Sequence, residues 1–354
     1  MTKEKKGNVL IIHGGGLVDA SLYVLMRIAS NVVDLYNQVF IGMYSFESFF
    51  TPNFIKEYNK SLIQEIRGKR GTYFGTCRDI DLRDPILFER AIYFLKEKGI
   101  TTIIVAGGDG SSRQVDETIK AFSERGINII FPVPLTIDGI NGGLSIGVIE
   151  ATKESIRQIE NITSTSLKTR DKGAFGVVMV ELQGRNRDDI MANVIKSFDV
   201  QGYIADFNIS DLLVRVVPAN IETDEEKLIN EINSSFKQTL VLISEGAKFK
   251  NPNLTIDNLS KKIHRKVRSL VVGHPSQSNN MTTKDTVKLY EDWVDKACEF
   301  IKDEPYSSFC VANIDGEFLW KPINYYAKLN PFKGQKAELP EQLKELIAAY
   351  MAAK

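Results

Sequence analysis

The chain has 354 residues and a mass of 39.8 kDa, too long for one typical domain, which points to two compact units or one large α/β unit. Charged residues make up 25% and hydrophobic ones 43%, with 45 basic against 45 acidic side chains, a composition that excludes mini-proteins and disordered or collagen-like chains. A net charge of zero offers no global field for nucleic acid or an anionic membrane, so a small-molecule ligand is expected and any phosphate must be held by a local site. Cys77, Cys298 and Cys310, like His13, His264 and His274, show no metal-ligand spacing and no disulfide framework, which points to a reducing compartment. The charged start Met1 to Gly7 is followed by only a short apolar run, so it reads as neither a signal peptide nor a membrane span, and a cytoplasmic protein is expected.

Short β-branched runs alternate with amphipathic stretches, the pattern of parallel sheets covered by helices on both faces. Strands are expected at Asn8 to Ile12, Val39 to Tyr44, Thr101 to Val105 and Asn128 to Val133. A helix from Ser111 to Arg125, with Val115, Ile119 and Phe122 at helical spacing, joins the last two into a βαβ unit. A second set follows: a helix near Ser145 to Asn161, a strand from Gly176 to Leu182, a helix near Arg187 to Phe198 and a strand from Thr239 to Ser244. Thr223 to Phe236 opens on an N-cap candidate with an acidic first turn and reads as a surface helix. Pro340 to Ala353 reads as a closing helix with Leu343, Leu346, Ile347 and Tyr350 on one face.

Two glycine clusters fall between a strand and a helix. His13-Gly14-Gly15-Gly16 lacks the Walker lysine and does not match G-x-G-x-x-G, so a tight turn and a phosphate loop both stand. Ala106-Gly107-Gly108-Asp109-Gly110-Ser111-Ser112 carries a stronger argument, because open α/β sheets bind ligands at this end and a carboxylate among glycines can hold Mg²⁺ beside a polyphosphate. Gly-Gly-Asp-Gly also occurs in NAD kinases and lipid kinases. Pro134-Leu135-Thr136-Ile137-Asp138-Gly139 follows the next strand on the same rim, where Asp138 suits proton removal from a hydroxyl while Asp109 manages a metal; the alternative is an Asp-Gly turn. Arg78, at the end of Gly71 to Arg78, is either a phosphoryl contact or a solvent-facing side chain. Cys77 reads as a small packing residue. Glu181 to Arg185, Ile243 to Ala247 and Val267-Arg268 to Gly273-His274 each set polar groups after an apolar run, suited to a polar acceptor or to ordinary loop chemistry.

Taken in order, from about Asn8 to Thr286, these segments resemble the phosphofructokinase family, which transfers a phosphoryl group to the 1-hydroxyl of fructose 6-phosphate. Gly14-Gly15 resembles the family's first glycine pair, and Gly75-Thr76-Cys77-Arg78 with Arg83-Asp84 its Gly-Ser-x-Arg…Arg-Asp segment. Gly107 to Ser111 is similar to its nucleotide and Mg²⁺ loop, Thr136-Ile137-Asp138 to its catalytic Thr-Ile-Asp, and Glu181 to Arg185 to its Glu-Val-Met-Gly-Arg. Glu245 stands as its acceptor-contacting glutamate, and Arg268 with His274 as its Arg…Gly-His segment. The resemblance implies two Rossmann-like three-layer α/β domains with mainly parallel sheets and the active site in the cleft between them. It assigns residues 1–149 with about 276–325 to the donor and residues 150–275 with about 326–354 to the acceptor. Asp138 and Thr136, with Arg78 and Arg185, are the implied catalytic residues. Gly15, Arg78, Asp79, Gly108, Asp109, Gly110, Ser111 and Ser112 would bind the donor, with Mg²⁺ on Asp109. Thr136, Asp138, Gln183, Gly184, Arg185, Glu245, Arg268, His274 and Gln277 would bind the acceptor. ATP is the implied donor, with diphosphate as the alternative, the partner is a sugar or sugar phosphate, and the assembly a homodimer or homotetramer.

The departures from the family pattern matter as much. Its Thr-Ile-Asp-Asn-Asp here continues Gly139-Ile140, which removes the second carboxylate. Its Gly-His-x-Gln-Arg-Gly-Gly becomes Gly273 to Asn279 without the arginine, and Gly176 occupies the ungapped place of another arginine, for which Arg170 or Lys172 can substitute. Each charge-assisted contact is worth about 1.5–3 kcal/mol, so an acceptor without the 6-phosphate, a sugar or a nucleoside-like hydroxyl compound, enters as a rival, as does a catalytically weak regulatory or binding homologue. Gly110 favours ATP over diphosphate, whereas Leu135 matches neither donor class. Gly16 to Asp19 replaces the usual Asp-Ala-Pro-Gly, and no bacterial-type effector arginines are evident around Leu25 and Ala29.

Overall fold

The computed structural model describes residues 5–14, 18, 20–69, 71–77, 79–137, 145–168, 170–171, 174–184, 188–273, 283–303, 309–314, 317–323 and 341–351. The chain divides into one unit of Met1–Ile149 with Thr282–Pro331 and another of Glu150–Met281 with Phe332–Lys354.

The first unit opens with strand β1 (Asn8–Gly14), helix α1 (Ser21–Val32), β2 (Val39–Gly42), the short β3 (Ile55–Glu57) and α2 (Lys60–Ile66). Then come α3 (Pro85–Glu97), β4 (Ile100–Gly107), α4 (Asp109–Glu124) and β5 (Asn128–Ile130), and the two-residue strands β6 (Leu135–Thr136) and β7 (Ile146–Gly147). The sheet runs β3-β2-β1-β4-β5, parallel except for β3 at its edge. Val9, Leu10, Ile11 and Ile12 are wholly buried because both faces of β1 are covered, which is why the strand reads as an unbroken apolar run. Leu10 and Ile12 cluster with Phe88, Ala91, Ile92 and Leu95 of α3 and Val115 and Phe122 of α4. Asp84 caps α3 by accepting from the N–H groups of Ile86 and Leu87, with Pro85 in the first turn.

Two expected strands are shorter in the structure. The strand from Val39 stops at Gly42, since Tyr44 and Ser45 take left-handed backbone (φ 56° and 57°) and lead into a single 3₁₀ turn over Ser45–Phe49. The strand from Asn128 stops at Ile130; Phe131 and Val133 stay buried, but Pro132 brings no N–H to continue a ladder.

Helix α5 (Val148–Ser166) leads into the second unit, where two-residue strands β8 (Arg170–Asp171) and β9 (Ala174–Phe175) precede β10 (Val177–Leu182) and α6 (Asp189–Gln201). After the short β11 (Tyr203–Ile204) and β12 (Phe207–Asn208) come β13 (Leu212–Val217), α7 (Glu225–Ser234), β14 (Gln238–Ser244), α8 (Ile256–Lys262) and β15 (Val267–Val271). The sheet order is β13-β14-β10-β15, all parallel. Val177, Met179, Val217, Val241 and Ile243 form a core with Leu228, Ile229 and Ile232 of α7 and Leu259 of α8. The cap of α7 is Asp224, which accepts from Lys227 N–H at 3.0 Å, one residue later than Thr223.

The chain then returns to the first unit with α9 (Lys284–Asp303) and the antiparallel hairpin β16 (Phe309–Ile314) and β17 (Glu317–Pro322). Helix α9 buries Tyr290, Trp293 and Ala297 and is tied to α1: Arg27 pairs with Asp295 through both guanidinium arms (2.8 and 2.5 Å), Asn31 adds a third bond (2.7 Å), and Tyr23 donates to Glu291 (2.6 Å). Helix α10 (Glu341–Met351) closes the second unit, with Ile347 buried and the Tyr350 hydroxyl donating to Asp199. No helix among the described residues is long and apolar enough to cross a membrane.

The N-terminal edge of the second sheet is held by one guanidinium. Arg265 donates to the carbonyls of Phe175, Gly176, Ile232, Ser235 and Lys237 and to the Thr239 hydroxyl, all between 2.6 and 3.3 Å. Burial holds its pKa below the ordinary arginine value, and no carboxylate among the described residues pairs with it; the carbonyls ending α7 supply the compensating negative potential. Arg265→Ala strands several buried carbonyls and is expected to lower the unfolding free energy by about 3 kcal/mol or more, whereas Arg265→Lys, with three donors, recovers only part of this in a urea titration.

Candidate active site

In the first unit the C-terminal ends of β1 and β4 touch through glycine. Gly14 pairs with Gly107, and Gly108 N–H donates to the Gly14 carbonyl at 3.1 Å. A Cβ on Gly107 would lie 1.7 Å from that carbonyl oxygen, so no other residue fits without parting the strands. Helix α4 starts immediately after, with Gly108 as an extended N-cap lacking any side-chain cap. Ser112 N–H returns to the Gly108 carbonyl (3.0 Å), so the N–H groups of Asp109, Gly110 and Ser111 form a first turn that no helix bonds internally. This is a positive helix terminus of the kind that takes an anion.

Around this turn the structure brings Ser111, Ser112 and Thr136 together. All three are nearly buried; Ser111 lies over Gly14, and Thr136 lies within 3.3 Å of the Cβ position of Gly108. Pro134 bridges to Gly107, and Ser145 donates to the Thr136 carbonyl at 3.0 Å, fixing the strand that leads to Ile137. Leu135 is wholly buried, so its side chain is a core residue. Gly110 faces open space, with nothing within 4 Å of a Cβ. Gly75 takes φ 63° beneath the Tyr44 ring, whose carbons sit 2.7 Å from a Gly75 Cβ position. Asp79 is exposed on the loop that follows. Arg83 pairs with Asp81, whose carboxyl it holds down at about 2, and reaches Glu117, while Asp84 caps α3; both residues thus have local tasks. Gly15, Arg78 and Asp138, and the side chain of Asp109, lie outside the described residues.

In the second unit the rim is acidic. Glu181 is the penultimate residue of β10 and Glu245 follows β14; Glu245 N–H donates to the Leu182 carbonyl (2.8 Å) and its carboxylate accepts from Gly184 N–H (3.3 Å). Burial first, and repulsion from Glu245 second, raise the Glu181 carboxyl above the ordinary glutamate value of 4.5. Gln183 is half-buried beside Gly184. Arg268 is exposed on the edge strand β15 opposite Val178, three residues back from the Glu181 to Val271 pairing, so its backbone is not on the rim. Arg185, His274 and Gln277 lie outside the described residues, as does Lys172. One rim residue missing from the sequence reading is Asp188, a buried carboxylate bonded to the ends of β13 and β14; its only sequence signal is an acid just before an amphipathic helix. Among the described residues no group of three or more acid, histidine or cysteine side chains could hold a metal.

Two measurements test this geometry. Gly107→Ala is expected to destabilise the first unit by about 3 kcal/mol or more, whereas Gly110→Ala, on an open helical position, changes stability by no more than about 1 kcal/mol, both read by chemical denaturation. A carboxyl whose folded value is raised contributes stability that is full below its ordinary value and lost as pH rises through the folded value. Glu181→Gln is therefore expected to gain stability over wild type near pH 7 and to lose that advantage by about pH 4 in denaturation curves at the two pH values.

The family model described as phosphofructokinase matches residues 8–291. The ATP-dependent 6-phosphofructokinase of Mannheimia succiniciproducens is 23% identical over 241 residues, covering 66% of this chain and 68% of the relative. That of Yersinia enterocolitica is 27% identical over 228 residues, covering 63% and 62%. Among solved structures, the pyrophosphate-dependent phosphofructokinase of Marinobacter aquaeolei superposes with a TM-score of 0.72 at 14% identity, over 99% of this chain and 92% of that one. Pichia pastoris phosphofructokinase in the T-state gives 0.72 at 16% identity, over 99% of this chain, which spans only 40% of the yeast chain. With the family model covering most of its length, the chain belongs to the phosphofructokinase family, whose members are kinases with a hydroxyl acceptor.

Proposed function

We propose that the protein moves the γ-phosphoryl group of ATP, with Mg²⁺, to the 1-hydroxyl of fructose 6-phosphate or a related sugar. The observation that carries this reading is the junction of Gly14, Gly107 and Gly108 with the first turn of α4, beside Thr136. Its N–H groups suit a polyphosphate, and Ser111 and Ser112 add hydroxyl donors at the same place. Mg²⁺ fits a site with one carboxylate at a phosphate cradle, because it is commonly held by one or two carboxylates and the phosphates themselves. Asp109 would hold it there, and the ion when bound neutralises charge on the phosphoryl oxygens.

In this reading Asp138 takes the proton from the acceptor hydroxyl, and Arg78 and Arg185 stabilise the charge on the group in flight. Gly15, Asp79 and Gly108 to Ser112 hold the donor. Gln183, Gly184, Glu245, Arg268, His274 and Gln277 orient the acceptor, with Thr136 beside the reacting hydroxyl. The first unit thus serves the donor and the second the acceptor, in a cytoplasmic homodimer or homotetramer. The open space at Gly110 favours ATP over diphosphate. The missing arginine of the Gly273 to Asn279 segment favours a rival acceptor, a sugar or nucleoside-like compound with hydroxyls but no 6-phosphate.

Phosphorus NMR of the protein with Mg-ATP and fructose 6-phosphate is expected to show the bisphosphate, with Asp138→Asn slower by about 10²- to 10⁴-fold. Product only with a sugar lacking the 6-phosphate selects the rival acceptor. No transfer from ATP or diphosphate to any sugar overturns the reading in favour of a binding homologue.

A further inference from the structure

Asp188 is the most buried carboxylate at the rim of the second sheet, 1% exposed, and it faces no cation among its hydrogen-bond partners. One oxygen accepts from Ala219 N–H (2.8 Å) and the Ser244 hydroxyl (2.6 Å); the other accepts from the N–H (3.3 Å) and side-chain amide (3.0 Å) of Asn220. Burying such a charge is costly unless every lone pair is engaged and a positive potential lies near; here four donors meet it, at the N-terminus of the 13-residue helix α6. All four donors sit at or just beyond the C-terminal ends of β13 and β14, none in the apolar layer beneath. Ser244 is also the residue before Glu245, whose N–H and carboxylate bond to Leu182 and Gly184. Positions 184 and 188, at the two ends of one rim loop, are thereby both fastened to the dipeptide Ser244-Glu245.

We propose that Asp188 is a positioning residue for acceptor binding: through Ser244 it fixes the place of Glu245 on the rim. This rests on the kinase reading above, where Glu245 contacts the acceptor. An amide at position 188 keeps the shape and loses the function, because either orientation turns an NH₂ toward two donors. Ser244 or the Asn220 side chain can rotate to accept from it, but the backbone N–H beside it cannot.

The test is steady-state kinetics with Mg-ATP and fructose 6-phosphate, or the acceptor that NMR identifies, on wild type, Asp188→Asn, Ser244→Ala and the double variant. Asp224→Ala, which removes the cap of α7 away from the rim, serves as the structural control. Asp188→Asn and Ser244→Ala are each expected to raise the acceptor KM about 10-fold or more while the ATP KM stays within about 2-fold, with the double variant far short of the product of the two effects. The control lowers Tm without splitting the two KM values. An acceptor KM within about 2-fold of wild type in both variants, or both KM values moving together with Tm, overturns the proposal. Hydrogen exchange judges it without catalysis: the amides of Ala219 and Glu245 are expected to exchange about 10-fold faster in Ser244→Ala and Asp188→Asn while the centres of β10 and β14 keep their protection. Unchanged exchange at those two amides overturns it. A wild type that transfers no phosphate, with the amides loosened as expected, sinks the kinase reading and leaves the fastening role of Asp188 intact.

Discussion

The contact between two backbones, Gly14 and Gly107, is the constraint on which the first unit of this protein depends. Parallel strands normally diverge into their loops; here the ends of β1 and β4 stay close enough that even a methyl group on Gly107 would overlap the Gly14 carbonyl. That closeness lets Gly108 N–H bond to Gly14 and turns the chain into α4 within one residue, so the helix begins at the sheet instead of after a loop. Strand β6 then joins through the bridge from Pro134 to Gly107, which sets Thr136 over the same turn. Three segments far apart in sequence thus meet because one pair of residues carries no side chains.

The second unit solves a different problem at each end of its sheet. At the start of the strands, a cluster of carbonyls is gathered by the Arg265 guanidinium, a positive group among negative dipoles. At the strand ends, N–H groups and hydroxyls are gathered by the Asp188 carboxylate, a negative group among positive dipoles. Among the described residues neither charge has an ionic partner, and both are compensated by a helix terminus: the end of α7 for Arg265 and the start of α6 for Asp188. The parallel sheet and its following helices carry this polarity by construction, and it explains how two ions can be buried at opposite edges without an ion pair.

The legible part of the sequence was what burial writes into composition. Strands β1, β4, β10 and β14 are covered on both faces and appear as continuous apolar runs, and within the glycine clusters at the ends of β1 and β4, Gly14 and Gly107 sit where a Cβ has no room. Strand β13 escaped notice because Arg215 interrupts it; its guanidinium is paired with Glu231 of α7 at 2.8 Å, a contact no local pattern announces. Helix α9 escaped because its polar face is as charged as any surface, while Trp293 and Tyr290 find their partners, the Val311 carbonyl and Gly147 N–H, only in the folded unit. Asp188 and Asp189 are the same letter twice. Only tertiary bonding separates the buried carboxylate from its neighbour in the first turn of the helix.

The two units also differ in how freely their chemistry can drift. In the first, the turn proposed to hold the donor is built from backbone, so its N–H groups cannot be altered without parting β1 from β4, whereas an open position such as Gly110 can vary. In the second, Glu181 near the end of β10 and Gln183 and Glu245 just beyond the strands stand outside the apolar core, so the proposed acceptor contacts can change without removing a core residue. Departures from the family pattern nevertheless occur in both units: Leu135 and the Gly139-Ile140 continuation in the first, and the missing arginine of the Gly273 to Asn279 segment in the second. The backbone turn of Gly14, Gly107 and Gly108 is therefore the part of the proposed site that substitution can least alter, whichever acceptor the enzyme takes.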